Sequence, residues 1–121
     1  MDLLTYLRED LVRLMKRREK LALRALGDAI SAIQNAETSY LATPATVGAP
    51  SDFVAGGVRF GHAERVVREL SDDEMMALAR NEVTRRLEGA VELRAVGDVD
   101  RALMLKAEAL ALADRLDAYA A

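Results

Sequence analysis

The chain of 121 residues carries a formal net charge of -3, and 51% of its residues are hydrophobic and 31% charged. A chain of this length can bury one core of ordinary size, so we expect a single domain over 1–121. The absence of cysteine excludes a disulfide framework and a thiolate metal site. Aromatic residues make up only 4% of the sequence, whereas alanine and leucine abound, and this composition favours closely packed helices over a sheet. The expected fold class is all-α.

The sequence has no run of 18 apolar residues, and no basic leader precedes a hydrophobic stretch at its N-terminus. Nothing in its cysteine usage points to an oxidising compartment. We therefore expect a soluble, cytoplasmic protein that does not enter a membrane.

The first third of the chain carries two apolar stripes with helical spacing. They predict one helix over about 3–16 and another over about 19–37. No glycine or proline separates the two stripes, so periodicity alone leaves open whether residues 16–20 bend into a helical hairpin or continue as one long helix. The stripes consist of Leu3, Leu7, Leu11 and Leu14, and then of Leu23, Leu26, Ile30 and Ile33.

Residues 38–62 contain both prolines and four of the seven glycines of the chain. This composition predicts a long connector rather than a packed element. Residues 63–69 then have the pattern of a short helix.

A second helical hairpin is predicted after the connector. Ser71 and Glu74 have the spacing of a capping box, which predicts a helix over about 72–96 that stops at Gly97. Asp98 or Asp100 then caps a last helix over about 99–119. The expected core stripe of the first of these helices is Met76, Ala79, Val83, Leu87 and Ala90.

The last helix has an unusually broad apolar face. Such a face either lies at the centre of a bundle or supplies a surface for self-association, and a homo-oligomer through the 99–119 helix is one of the partners that we expect. The face consists of Leu105, Ala109, Leu112, Leu116 and Tyr119, with Leu103, Ala107 and Leu110 beside them.

Two spaced patterns connect these helices to a known family. The first runs from Leu23-Arg24-Ala25-Leu26 to Ala29-Ile30, Asn35 and Glu37, and the second from Leu70-Ser71-Asp72-Asp73-Glu74 to Glu82-Val83 and Arg85-Arg86. In this order and spacing they resemble the GatB/YqeY-like family, whose members carry a helical domain related to the tail of the tRNA-dependent amidotransferase B subunit. The resemblance reaches from about Asp10 to the last helix and is poor over residues 38–68.

The resemblance implies a bundle of two helical hairpins with a bend near residues 16–20. It also implies a non-enzymatic module that is accessory to tRNA-dependent amidation or to tRNA handling. The family label alone also suggests a carbon-nitrogen ligase or amidase activity. The chemistry of that complex belongs to other subunits and domains, so the resemblance does not transfer it to this chain. Full-length relatives continue past a Leu-Pro pair into a further small helical module, whereas this sequence ends at Tyr119-Ala120-Ala121.

Candidate nucleic-acid-binding residues lie mainly between positions 13 and 24, where six basic residues stand against one acid, Glu19. Such a cluster can neutralise phosphates even on an acidic protein, and because it contains no aromatic residue, contact with the backbone of a duplex or a tRNA is the expected mode. The alternative is a set of solvated helix flanks that interact favourably with a helix C-terminus. The candidates are Arg13, Lys16, Arg17, Arg18, Lys20 and Arg24, together with Arg85 and Arg86 of the second pattern.

Arg24 has a structural alternative, because it can pair with Asp28 at i+4 on the same helix. The single histidine, His62, lies in the glycine-rich connector without a set of matching carboxylates, so we expect no metal site. Residues 56–61 lack the lysine and the glycine spacing of a phosphate-binding loop. The sequence thus predicts no catalytic, cofactor or metal site, and a module that binds protein or itself is the alternative to RNA binding.

Overall fold

The computed structural model describes residues 1–39 and 69–121. The described residues form four helices and no strand, which confirms the all-α fold and the helical bundle. Each helix begins and ends within two residues of its predicted bounds. The helices are α1 (Leu3–Arg17), α2 (Lys20–Ser39), α3 (Asp72–Ala95) and α4 (Val99–Ala120).

The predicted connector 38–62 and the predicted short helix 63–69 lie outside the described residues, except for their outermost members. Of these, Thr38 and Ser39 belong to α2, and Glu69 has no regular secondary structure. The chain divides into two compact units, one made of 1–33 with 71–121 and the other of 34–70. The tertiary contacts given below all lie within the first unit.

The turn between α1 and α2 settles the open question at residues 16–20 in favour of a bend. Arg18 adopts the left-handed backbone conformation, with φ 58° and ψ 37°. The N–H of Glu19 donates to the carbonyl of Leu14 and the N–H of Arg18 to that of Met15, both at 3.2 Å. These are the two hydrogen bonds of a Schellman motif, which ends a helix by reversing the backbone.

The α3–α4 hairpin has the predicted ends. Ser71 Oγ accepts the N–H of Glu74 at 3.1 Å, and the Glu74 carboxylate accepts the N–H of Ser71 at 2.8 Å, so the capping box is formed. Gly97, with φ 88°, closes α3 through a second Schellman motif in which its N–H donates to the carbonyl of Arg94 at 3.0 Å. Asp98, rather than Asp100, caps α4.

The core is built from leucines and small residues, with two departures from the predicted α3 stripe. Met75 is buried and Met76 only half-buried, while Arg86 points inward and Leu87 is 38% exposed. The prediction for Leu87 is therefore wrong, and that for Met76 holds only in part. The reason is that Arg86 pairs with carboxylates from three helices, which an apolar pattern does not reveal. The largest fully buried side chains are Leu3, Leu7, Leu14, Leu26, Ile33, Leu112 and Leu116.

Tyr119 ties the end of α4 to the starts of α1 and α3. Its hydroxyl donates to Asp72 Oδ2 at 2.6 Å and lies 3.1 Å from the carbonyl oxygen of Met1. The other carboxylate oxygen of Asp72 accepts the N–H of Leu3 at 2.8 Å. The hydrogen bond to Asp72, together with desolvation and the nearby negative charge, raises the pKa of Tyr119 to about 12.

Removal of the Tyr119 proton should weaken the fold at alkaline pH. Because the pKa of Tyr119 is higher in the folded protein than its ordinary value of 10.0, its contribution to stability is complete below about pH 10 and is lost as the pH rises towards 12. We expect the free energy of unfolding to fall more steeply over this interval in the wild-type protein than in Tyr119→Phe. Absorbance at 295 nm checks the assignment, since the titration of the wild-type protein minus that of Tyr119→Phe should show one phenol with a pKa near 12. A difference titration centred at pH 10 would contradict it.

The conformation of Arg18 predicts opposite effects of glycine at two neighbouring positions. A residue with a side chain loses about 1–2 kcal/mol in the left-handed conformation, and glycine at position 18 avoids this cost. Glycine also stabilises the unfolded chain by roughly 0.5–1 kcal/mol through its greater conformational entropy, which is the smaller of the two effects. We therefore expect Arg18→Gly to raise the melting temperature by a few degrees. Arg17→Gly removes the same charge from a helical position and should lower it. Equal shifts in both variants would show that charge, rather than backbone conformation, determines the result.

Candidate functional site

A group of five charged side chains lies where α2, α3 and α4 meet. At its centre the Arg86 side chain is 9% exposed, and its Nε donates to Oε1 of Glu108, which is 3% exposed, at 3.1 Å. The Arg86 Nη1 donates to Glu82 Oε1 at 3.0 Å, and its Nη2 to Asp28. The second oxygen of Glu108 accepts from Arg24 Nη1 at 3.4 Å. We call these five residues the charge cluster.

The charge cluster keeps Arg86 ionised inside the protein. Burial alone lowers the pKa of the guanidinium, but the hydrogen bonds with Glu108, Asp28 and Glu82 outweigh burial and raise the pKa above its ordinary value. A planar guanidinium can serve three carboxylates at once because its N–H groups form a rigid fork. Arg86 is thus held in place from three directions, and no side of its head group remains for a phosphate.

The two sequence patterns that carry the family resemblance meet in the charge cluster. Arg24 and Asp28 come from the first segment of the chain, and Glu82 and Arg86 from the second. The expected i+4 pair of Arg24 with Asp28 is wrong, because each finds its partner on another helix, Arg24 at Glu108 and Asp28 at Arg86. The spacing of these residues therefore has a structural explanation.

Five of the eight candidate nucleic-acid-binding residues lie together at the turn from α1 to α2, and we call them the basic corner. All five are exposed. Arg13 lies 3.1 Å from Asp10, and Arg17 lies 3.9 Å from Glu19. The other three residues have no ion-pair partner within 4.0 Å among the described residues. The basic corner consists of Arg13 and Arg17, which have these neighbours, and of Lys16, Arg18 and Lys20, which do not.

The acids beside the basic corner are occupied by a residue from the other end of the chain. Arg115 Nε on α4 donates to Asp10 Oδ2 at 2.8 Å, and its Nη2 lies 3.9 Å from Glu19 Oε1. Asp10 lies on α1 and is itself buried. Arg115 thereby neutralises part of the negative charge at the corner, which leaves the cations of α1 and α2 in clear excess there.

The remaining candidates have different surroundings. Arg86 is buried in the charge cluster and lies apart from the basic corner. Arg85 lies on α3 with a 69% exposed side chain, 3.6 Å from Glu82. Arg24 is mostly exposed but contacts Glu108. The structure therefore groups Arg24 with Arg86 and not with the basic corner.

Sequence reasoning missed Glu108, Asp10 and Arg115. A signal was present for the two acids, because each interrupts an apolar stripe, Asp10 between buried leucines of α1 and Glu108 beside Ala109 of α4. A carboxylate in such a position requires a cationic partner when it is buried. A local pattern does not identify this partner, because Arg86 and Arg115 lie on other helices than the acids they contact.

A shallow pocket of about 140 Å³ opens next to the charge cluster. It gives the Arg24 side of the cluster a direct connection to solvent. Its walls combine two arginines and a carboxylate with apolar side chains. They are formed by Arg24, Leu93, Arg101, Met104, Leu105 and Glu108.

Within 1–39 and 69–121, no group of three or more His, Cys, Asp or Glu side chains is arranged to hold a metal ion. The three carboxylates of the charge cluster converge on a guanidinium instead. In the same part of the chain, no helix combines the length and the hydropathy that crossing a bilayer requires. Comparisons with protein-family models, curated proteins and solved structures give no match for this chain.

Loss of the Arg86 side chain should destabilise the fold strongly. Arg86→Leu leaves Glu108 buried with only the longer contact to Arg24, and breaking a buried pair from one side costs about 3–5 kcal/mol. The neighbouring Arg85→Leu removes the same charge from an exposed position and should change the free energy of unfolding by no more than about 0.5 kcal/mol. Urea denaturation of both variants checks this difference.

The double variant Arg86→Leu/Glu108→Leu distinguishes the unpaired charge from lost packing. Because it removes the buried carboxylate as well, we expect it to be more stable than Arg86→Leu alone. A double variant that is less stable than both single variants would show that the pair does not act through burial of an unpaired charge.

Proposed function

We propose that this chain is a non-enzymatic, YqeY-like helical module that binds the phosphate backbone of a folded RNA, tRNA in the first instance, through the basic corner. The observation that carries the proposal is the group of three exposed cations at one turn, Lys16, Arg18 and Lys20, that have no ion-pair partner among the described residues. The resemblance to the GatB/YqeY-like family supports tRNA as the first RNA to test. Cytoplasm is the proposed location.

The arrangement of the corner suits a phosphate backbone rather than bases. Flexible lysines and arginines on a convex turn can reach successive phosphates, and their binding releases condensed counterions. None of the five residues of the basic corner is aromatic, so the surface offers no platform on which a base could stack. The expected binding is therefore weakly sequence-specific and strongly dependent on salt.

The turn geometry supports a defined surface. The Schellman motif at Arg18 ends α1 and starts α2 within three residues, so cations from the last turn of α1 and the first turn of α2 share one end of the helical hairpin. Arg115 occupies the neighbouring acids. Because Lys16, Arg18 and Lys20 take part in no ion pair among the described residues, these corner cations remain available.

A salt series with total tRNA tests the proposal. We expect Lys16→Ala/Arg17→Ala/Lys20→Ala to bind at least about tenfold more weakly than wild type at low salt, and to flatten the slope of log affinity against log salt by about 2–3 units, because three phosphate contacts are lost. The triple variant omits Arg18, whose unusual backbone conformation would confuse charge with stability.

The matched control is Arg85→Ala/Arg94→Ala/Arg101→Ala, which removes the same charge from exposed positions on α3 and α4. We expect this control to bind tRNA within about twofold of wild type. It also tests Arg85, the candidate that lies outside the corner. Equal weakening of both triple variants would show an effect of net charge alone, and unchanged binding by the corner variant would rule out the corner as the RNA surface.

A protein-interaction module is the second candidate function. The observation that favours it is the number of large apolar side chains left exposed on the α3–α4 hairpin, among them Val91, Leu103 and Leu110. Such a module would bind through α4 without RNA.

A further inference from the structure

One side of the α3–α4 hairpin, which we call the outer face, is apolar and exposed. It carries Leu87 and Val91 on α3, which are 38% and 69% exposed, and Leu103 and Leu110 on α4, which are 54% and 50% exposed. Leu87 and Val91 are four residues apart and Leu103 and Leu110 seven, so each pair lies on one stripe of its helix. Grouped, exposed apolar side chains of this size mark interaction sites.

The register of the hairpin brings the two apolar stripes side by side. Arg80 Nη2 donates to Asp117 Oδ1 at 2.7 Å, and these two residues lie on the same stripes as the apolar ones. In an antiparallel hairpin the central pair of Arg86 with Glu108 places Leu87 level with Ala107, within one turn of Leu110. Val91 then lies level with Leu103, one turn further towards Gly97.

The charges on α4 are arranged symmetrically about Leu110. Lys106 precedes it by four residues and Asp114 follows it by four, so each lies about 6 Å from Leu110 along the helix axis. Both are exposed, and neither has an ion-pair partner among the residues that the structure describes. Opposite charges at equal distances on either side of one apolar residue make the stripe complementary to itself in the antiparallel direction.

We propose that the outer face binds a second copy of this chain, with α4 antiparallel to α4 and a two-fold axis at Leu110. In this arrangement Lys106 of each copy faces Asp114 of the other, and the two Leu110 side chains meet at the axis. A two-fold contact uses the same patch on both subunits, as this symmetry requires. Leu87 lies beside the axis and extends the apolar contact onto α3.

The α3–α4 hairpin is large enough for a dimer contact. A helix of 24 residues such as α3 is about 36 Å long, and two adjacent helices are about 20 Å wide, so one whole side of the hairpin, of which the outer face is the apolar part, covers about 700 Å². A specific interface buries about 800 Å² on each partner. The proposal is independent of the RNA surface, because the residues of the basic corner take no part in it.

The test is the molar mass in solution over a range of protein concentrations, measured by sedimentation velocity. We expect the wild-type chain to pass from the 13.2 kDa monomer to a species of twice that mass. Leu110→Glu should remain monomeric over the same range, because it buries two carboxylates at the axis. Val12→Glu, at a half-exposed valine on α1, is the matched control and should dimerise like wild type. Far-ultraviolet circular dichroism confirms that each variant is folded.

A charge exchange tests the register. Lys106→Glu and Asp114→Lys should each weaken dimerisation by about fivefold or more, because every single reversal replaces two attractive pairs with two repulsive ones. The double variant Lys106→Glu/Asp114→Lys restores opposite charges across the axis, and its affinity should return to within about twofold of wild type. A wild-type chain that stays monomeric up to millimolar concentration would overturn the proposal. So would equal behaviour of Leu110→Glu and Val12→Glu, or a double variant as weak as the single ones.

Discussion

The buried ion pair of Arg86 with Glu108 is the interaction on which the arrangement of the helices depends. A charged group transferred from water to a protein interior loses several kcal/mol of solvation, so each partner is tolerable only while the other is in place. Because the pair joins the middle of α3 to the middle of α4, it sets the level at which the two helices face each other. Asp28 and Arg24 add α2 to the same point. One group of charges therefore fixes the relation of three helices.

The same principle separates the charges that hold the fold from those of the proposed RNA surface. Arg86 and Arg115 hold carboxylates that are themselves buried, Glu108 and Asp10, and their head groups are used up in doing so. In the basic corner, Lys16, Arg18 and Lys20 have no ion-pair partner among the described residues, and Arg13 and Arg17 share their acids with Arg115. Because the acids nearby are already occupied by Arg115, the corner can offer its charge to another molecule. Arg86 and Arg115 thus neutralise the buried acids, which leaves the unpaired cations at the turn in excess.

The two proposed surfaces differ in the physics of binding. Counterion release dominates at the basic corner, so added salt weakens that contact. At the outer face most of the free energy comes from apolar burial, to which the exposed Leu87 and Leu110 contribute, and salt affects only the flanking Lys106 and Asp114. The chain also carries very few aromatic residues, which supply much of the binding energy at many protein interfaces. Self-association through leucines on a flat helical face is consistent with that composition.

The sequence by itself determined the fold class and most of the helix ends, since capping is a matter of neighbouring residues: Ser71 with Glu74, and Gly97 with Asp98. It also determined the membership of the basic corner, because those residues are close along the chain. Only the tertiary structure decided that Arg86 rather than Leu87 points inward, and that Arg24 and Asp28 take partners on other helices. These choices depend on carboxylates and guanidinium groups up to 105 positions apart in the sequence, such as Arg115 and Asp10. The turn at Arg18 is of the same kind, because no glycine marks it and packing of the two helices holds a side-chain-bearing residue in the left-handed conformation.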